Sequence, residues 1–527
     1  MRVTFVSLGM ELLGVEYLSS YLKAHGHETS LVHNPALFDD RFQLRMPWLA
    51  KLFNQDDKIV QRLLELDPDI IGFSCLTNVF GWAVEIARRV REVKKIPTVF
   101  GGVHPSAVPR FVMQYPEVDF VCEGEGEVAL LKLVESLETD SPGADIPNIW
   151  SKPAGEITPP PKVAAFLTDL NALPFPDKEL FADTIPKRYV YRMMTARGCP
   201  YRCTFCFNNF FANLPTEKTT NKQYLRRRSI DNCIEELKAG KERFDYKVIE
   251  FHDDIFTMDR EWLSKFLPQL RDEIGVPWIC ETHANFMDDE LARLMKDTGC
   301  VGAKMGIQTL DKREYKTKTL KRVEQEKDIV RTFEAFRKAG LELECDHIFG
   351  LPGEATEARE YALEFYKRHS PARIACFFLT YFPGLEITQK AHERGEISDA
   401  QLEAIHRGEL LWYHEVHAQT PDAARELHIN KGYMIAFQIM PSVPKVLRRF
   451  IQPRILTAIP GMVAVSRFVM AAKMLVDWLF DGHFDAVLYA RLYLHHMIGK
   501  GRRLNDTRPR SARRVSGTVP APTGAEA

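Results

Sequence analysis

Between Arg2 and Leu137 short β-branched runs alternate with stretches whose apolar residues recur every three to four positions. VTFVSLG, SLVH, DIIGFSC, TVFGG and VDFVCEG read as five strands; helical patterns separate or follow them at Leu13 to Ala24, Ile59 to Leu66, Trp82 to Val93, Val108 to Gln114 and Glu127 to Leu137. Five strands spaced by helices predict an α/β, Rossmann-like, doubly wound parallel sheet. Prolines then crowd the stretch from Ser141 to Asp177 (SPG, KPAG, TPPPK, LPFPD), which disfavours helix and sheet interior and reads as a connector packed across the surface. A second alternation starts at VYRMMTARG and continues through YKVIEFHDD, WICETHA, GAKMGIQT, LECDHIFG and RIACFFLTYFPG, with helical patterns between them, giving six strand–helix units. Beyond Glu386 the chain is helical and polar to about Leu427, with Trp412, Tyr413 and His414 grouped in sequence.

Composition narrows the class. A chain of 527 residues, 45% apolar and 27% charged, is globular and long enough for about three domains. The formal charge of −1 gives no reason to expect a nucleic-acid partner. It conceals an asymmetry, since residues 441–527 carry 14 basic and 5 acidic side chains. Ten cysteines are too few for a disulfide framework, and the start MRVTFVSLGM has neither the basic region nor the apolar run of a signal peptide, so a cytoplasmic location is expected. No uncharged apolar stretch is long enough to span a bilayer. The apolar run ILTAIPGMVAVSRFVMAAKMLVDWLF, broken by Arg467, Lys473 and Asp477, is compatible with helices packed on the second domain and with a helix lying at a lipid interface. The tail after Gly499 reads as disordered.

Small residues collect where the first five strands end: Ser7 to Gly9, Ser74 to Thr77, Gly101 and Gly102 before His104, and Gly124 to Gly126. Parallel sheets place ligands beyond the carboxyl ends of their strands, and glycine lets a ligand approach the backbone. Together these loops form the rim expected for a large ligand, although each alone is also ordinary turn chemistry. The sharper signal is Cys199, Cys203 and Cys206 in a C-x3-C-x2-C loop. Three thiolates can hold three irons of a 4Fe-4S cluster and leave the fourth without a protein ligand. A structural zinc site or a ferredoxin-like cluster needs a fourth ligand, for which no histidine or cysteine is suitably spaced; both remain alternatives, and the open cluster is favoured. The other seven cysteines are scattered singly and read as packed thiols.

The runs VFGGVHPSAVPRFV and VDFVCEGEGEVALLKLVE, with GVEYLSSYLKAHGHE and DPDIIGFSC, resemble the cobalamin-binding domain attached to many radical S-adenosylmethionine enzymes. The resemblance covers about the first 140 residues and implies cobalamin contacts at Ser74, Gly101, Gly102, His104, Glu123, Gly124 and Glu125. The Asp-x-His-x-x-Gly run with which other cobalamin domains place a histidine on cobalt is absent, and His33 is followed by Asn34 and Pro35. The resemblance therefore implies cobalamin held without that histidine.

The cysteine loop, with Phe205 before the third cysteine, resembles the cluster loop of the radical S-adenosylmethionine superfamily. In that family the methionyl group chelates the open iron, and an electron from the reduced cluster cleaves the sulfonium to a 5′-deoxyadenosyl radical. Six strand–helix units match the partial (β/α)6 barrel of that superfamily. The same resemblance implies S-adenosylmethionine contacts at Asp253 and Asp254, where the family has Gly-Gly-Glu; at Gln308, within GIQT; and at Ile348 and Gly350, within IFGLPGE.

Together the resemblances imply a cobalamin-dependent radical enzyme that methylates an unactivated carbon of a small or lipid-like substrate and draws electrons from a reducing protein. Oxidative cyclisation without methyl transfer, as in anaerobic magnesium-protoporphyrin ester cyclases, is the alternative; a non-catalytic iron–sulfur or cobalamin sensor is a weaker one. No residue is singled out as an acid or base. The expected boundaries are a cobalamin domain at 1–140, a connector at 141–187, a barrel at 188–385, a helical C-terminal region at 386–498 and a disordered tail at 499–527.

Overall fold

The computed structural model describes residues 1–37, 47–139, 142–164, 166–185, 187, 189–214, 221–311, 314–409, 411–412 and 421–458. The apolar run and basic tail of the C-terminus, and Tyr413 and His414, lie outside the described residues.

The first sheet contains β1 (Arg2–Leu8), β2 (Glu28–Asn34), β3 (Ile70–Ser74), β4 (Thr98–Gly101), β5 (Phe120–Cys122) and β6 (Ile149–Trp150), in the order β2-β1-β3-β4-β5-β6. The first five run parallel, as the sequence predicts. β6 is an addition from the proline-rich connector, pairing antiparallel with β5 through Val121 and Trp150. Two-residue periodicity explains the double winding. Val3, Phe5 and Ile70 pack in one apolar layer with Val15 and Leu22, whereas Val6, Ile71 and Phe73 pack in the other with Leu63, Phe80 and Ile86. Successive side chains on each strand thus serve opposite faces, and the helices cover both.

The second sheet is built from β7 (Val190–Met193), β10 (Val248–Phe251), β11 (Trp278–Thr282), β12 (Cys300–Gln308), β13 (Glu342–Phe349) and β14 (Arg373–Phe378), all parallel. Between its first two strands lies a short antiparallel pair, β8 (Ala196–Arg197) and β9 (Arg226–Arg227). The order β14-β13-β12-β11-β10-β7 is that of a six-stranded partial barrel. Its outward side chains, among them Trp278, Met305, Cys345 and Phe349, form one core with the surrounding helices. The helix Pro421–Ile439 packs its Phe437 against Phe349 and Tyr366, with ring centroids 5.4 and 5.0 Å away. Six of the seven remaining cysteines are buried and Cys376 is half-buried, in keeping with packed thiols.

Candidate two-cofactor site

The cysteine loop starts where β8 ends. Gly198 has φ +94°, and a Cβ there would sit 2.3 Å from the Tyr224 carbonyl oxygen, so only glycine fits immediately before Cys199. The loop closes with the Cys206 amide donating to the Cys203 carbonyl and the helix Phe207–Ala212 beginning directly after the third thiol. All three thiols are half-buried. Burial pushes Cys199 up to about 12 and Cys206 up to about 11, and raises Cys203, so the sulfurs stay protonated until a cation supplies compensating charge. Among the described residues no group of three such side chains is arranged around a single ion. Three thiols on one loop with no fourth protein ligand on it are the donor set that fits a 4Fe-4S cluster with one open iron.

The predicted S-adenosylmethionine contacts gather beside this loop, with one division. Asp253 is 1% exposed and turned away: its carboxylate accepts from the Thr195 amide at 2.6 Å and from the Thr195 hydroxyl. Asp254 is exposed and accepts from Asn208 Nδ2 at 2.6 Å, and its charge is felt at Cys199 and Cys206. Of the acidic pair, only Asp254 is exposed beside the cysteine loop. Gln308 is the one predicted contact with a strained backbone, at φ +65°, and its buried Oε1 has no hydrogen-bond partner. Phe205 and Ile348 pack against the same apolar cluster, with Leu320 and Leu351, and make a wall beside the third cysteine. Gly350 follows with φ +77°, turning the chain out of β13.

Sequence reasoning missed the charges behind this wall. Arg322 donates to the Gly306 carbonyl at 2.6 Å and to Glu324 at 2.7 Å, and its charge reaches Cys203. Glu324 also binds Lys316 at 2.8 Å and His283 at 3.2 Å; although burial opposes ionisation, the Arg322 charge, the His283 hydrogen bond and the Lys316 charge hold its carboxyl well below the usual range. Arg322 is thus already engaged through Nε and Nη2, and only its Nη1 stands near Gly306 and the orphaned Gln308 side chain. The inner face of the barrel was missed as well. Arg192, Glu250, Glu281, Lys304, Glu344 and Asp346 lie across neighbouring strands, with Arg192 Nε 2.8 Å from Glu250 Oε2. Burial pushes Glu281 up to about 8 against the pull of Lys304, and Asp346 up to about 6 with Glu344 adding to it. The available signal was the alternation of charge within WICET and ELECD, which marks a strand with one wet face.

At the first sheet the parallel register brings Ser74 beside Gly101, and the rim forms there. Gly102 has φ +91°, and a Cβ on it would meet the Cys75 backbone at 3.0 Å; Gly9, at φ +86°, faces open space. The Gly124 amide donates to Ser106 Oγ at 3.0 Å. This is an edge lined by backbone at the strand ends. His104, by contrast, is fully buried, stacked on Phe80 at 4.4 Å, with burial pushing it down to about 3. Glu123 accepts from the Trp150 indole at 2.7 Å, and Glu125 accepts from Arg197 at 3.1 Å and from Arg226 at 2.8 Å. Those two carboxylates are thus already held by protein groups, and Glu125 reaches the cysteine loop rather than the rim alone.

A doubly wound sheet with an open glycine rim, set against a partial barrel that carries an open three-cysteine loop, defines a radical enzyme built around two cofactor sites. The B12 binding domain family matches residues 6–134, and the radical SAM superfamily matches residues 193–366. The chain is 26% identical to the uncharacterized methyltransferase PH0819 of Pyrococcus horikoshii, over 72% of this chain and 78% of that protein. It is 25% identical to the anaerobic magnesium-protoporphyrin IX monomethyl ester cyclase of Rubrivivax gelatinosus, over 78% and 75%. The solved structure of the cobalamin-dependent S-adenosylmethionine radical enzyme OxsB, with aqua-cobalamin and S-adenosylmethionine bound, shares the fold with a TM-score of 0.62 at 15% identity, covering 94% of this chain and 75% of that one. The chain belongs to the radical S-adenosylmethionine enzymes that carry a cobalamin-binding domain.

Proposed function

We propose that this enzyme methylates a carbon of a small or lipid-like substrate held in the barrel lumen. The observation that supports it is the meeting of the two sites: the rim of the first sheet and the cysteine loop are bonded to each other through Glu125 and Arg197. With their groups bound, the two sites would supply a hydrogen-abstracting radical and a transferable methyl group. Cys199, Cys203 and Cys206 would hold the cluster. Asp254, Gln308 and Arg322 would orient the amino acid end of S-adenosylmethionine, with Phe205, Ile348 and Gly350 beside its adenine. Ser74, Gly101, Gly102 and Gly124 would admit cobalamin through backbone contact. The charged lumen would fix the substrate by polar groups. The working boundaries remain 1–140, 141–187, 188–385, 386–498 and 499–527. A cytoplasmic setting with a reducing protein as electron donor completes the proposal.

Cyclisation is the second reading, because one relative carries that name. Anaerobic turnover of reconstituted enzyme with trideuteromethyl S-adenosylmethionine and cell extract separates the two. Methyl transfer places the label on a metabolite; cyclisation yields 5′-deoxyadenosine with no labelled metabolite.

Among the described residues no helix is long and apolar enough to cross a membrane. Peripheral lipid contact is part of the proposal, supported by Val446 and Phe450, which are 73% and 63% exposed beside Lys445, Arg448 and Arg449. Flotation with anionic vesicles checks it: equal recovery of the full chain and of a V446S/F450S variant counts against the contact.

A further inference from the structure

Charge ties the first domain to the connector and to the barrel, at two depths. The deeper tie is a closed ring: Lys178 contacts Glu11 at 3.0 Å and Glu16 at 2.5 Å, and Lys187 contacts Glu16 at 2.9 Å and also Glu11. All four side chains are 3% exposed or less, so the ring is an anchor whose charges have no access to water. The shallower tie lies at the edge where the two cofactor sites meet. Arg197 Nη1 donates to Glu125 Oε1 at 3.1 Å, Nη2 donates to Glu127 Oε1 at 2.7 Å, and the guanidinium sits 5.2 Å from the Tyr17 ring. Arg226, paired with Arg197 across β8 and β9, takes Glu125 at 2.8 Å.

The position of this second tie distinguishes it from ordinary stabilisation. Both acceptors belong to the loop and first helical turn that follow β5, the segment that closes the glycine rim. The donor stands two residues before Cys199, and the intervening Gly198 is pinned against Tyr224, so little slack separates the guanidinium from the first cluster ligand. A planar fork that bonds two carboxylates fixes direction as well as distance, which a single ammonium does not.

We propose that Arg197 is a positioning residue, which through Glu125 and Glu127 sets the separation between cobalamin on the rim and the cluster on the cysteine loop. The inference rests on the proposed function, in that it requires both groups to be bound. Its test needs no substrate. In holoenzyme carrying cob(II)alamin and a reduced cluster, pulsed EPR reads the distance distribution between the two paramagnetic centres. The wild type is expected to give one narrow distribution. Arg197→Gln and Glu127→Gln are each expected to lose it for a broad one while retaining cluster iron and cobalamin, with Arg197→Lys intermediate. Arg243→Gln, which breaks an exposed pair with Glu179 that involves neither Glu125 nor Glu127, is expected to stay narrow. If Arg197→Gln does not fold, Glu127→Gln carries the comparison. Narrow distributions in the folded variants would overturn the inference alone. A wild type that takes up cluster but no cobalamin would overturn the functional reading and this inference together.

Discussion

The strands of the first sheet send alternate side chains into two apolar layers, whereas those of the second send one set into an apolar core and the other into a charged lumen. Phe5 and Val6 are both buried among hydrophobic neighbours, but Glu344 and Asp346 alternate with buried Leu343 and Cys345. The first sheet therefore keeps its chemistry at its edge, in backbone at strand ends where glycine is required. The second keeps its chemistry in side chains inside the barrel as well as at its rim. One parallel topology thus presents backbone at a strand-end edge in one domain and charged side chains inside a barrel in the other.

The comparison can be broken most severely at the cysteine loop. Replacing Cys206 by Ala is expected to abolish 5′-deoxyadenosine formation and cluster iron while cobalamin uptake persists; concurrent loss of cobalamin would show that the two sites do not separate. Next in size is the doubly covered core. Phe100 is fully buried, stacked on Phe73 at 4.7 Å, and Phe100→Ala should cost about 3–5 kcal/mol in denaturant unfolding of the first domain, with the cluster still assembled in the remainder.

A smaller effect should come from the lumen, with a definite sign. Glu281 titrates near 8 in the folded state because burial outweighs Lys304, so between the ordinary carboxylate range and pH 8 the native state holds a proton that the unfolded state has lost. Stability should fall as pH rises through that window and level off above it. Glu281→Gln should remove this slope, gaining stability at pH 8 and nothing near pH 4, where both states are largely protonated. Parallel pH profiles for the two proteins would refute the lumen assignment. Smallest is Gln308→Ala, expected to raise the KM for S-adenosylmethionine about tenfold with a lesser change in kcat, as loss of one hydrogen-bonding group predicts.

Much of this was legible in the chain. Leu13–Ala24 is a helix as the periodicity requires, and the five parallel strands and six barrel strands stand where apolar runs predicted them. The three cysteines stood out because their spacing is local. What escaped was non-local. Lys178 and Glu11 are 167 positions apart, and nothing in either neighbourhood announces the other. β6 escaped because two residues inside a proline-rich stretch carry no period. Glu125 was legible as a rim residue, yet its partners Arg197 and Arg226 come from the other domain and decide what its carboxylate does. The burial of Asp253 escaped as well, because its partner Thr195, to which it is bonded, lies on another strand's end, 58 positions away.

The central claim is a division of labour between the two domains, and withholding one cofactor tests it most directly. Cluster-loaded enzyme, with and without cobalamin, is supplied with trideuteromethyl S-adenosylmethionine, reductant and cell extract, and 5′-deoxyadenosine and labelled metabolites are measured together. The account predicts 5′-deoxyadenosine in both samples and a labelled metabolite only with cobalamin. The same labelled metabolite in both samples would contradict it.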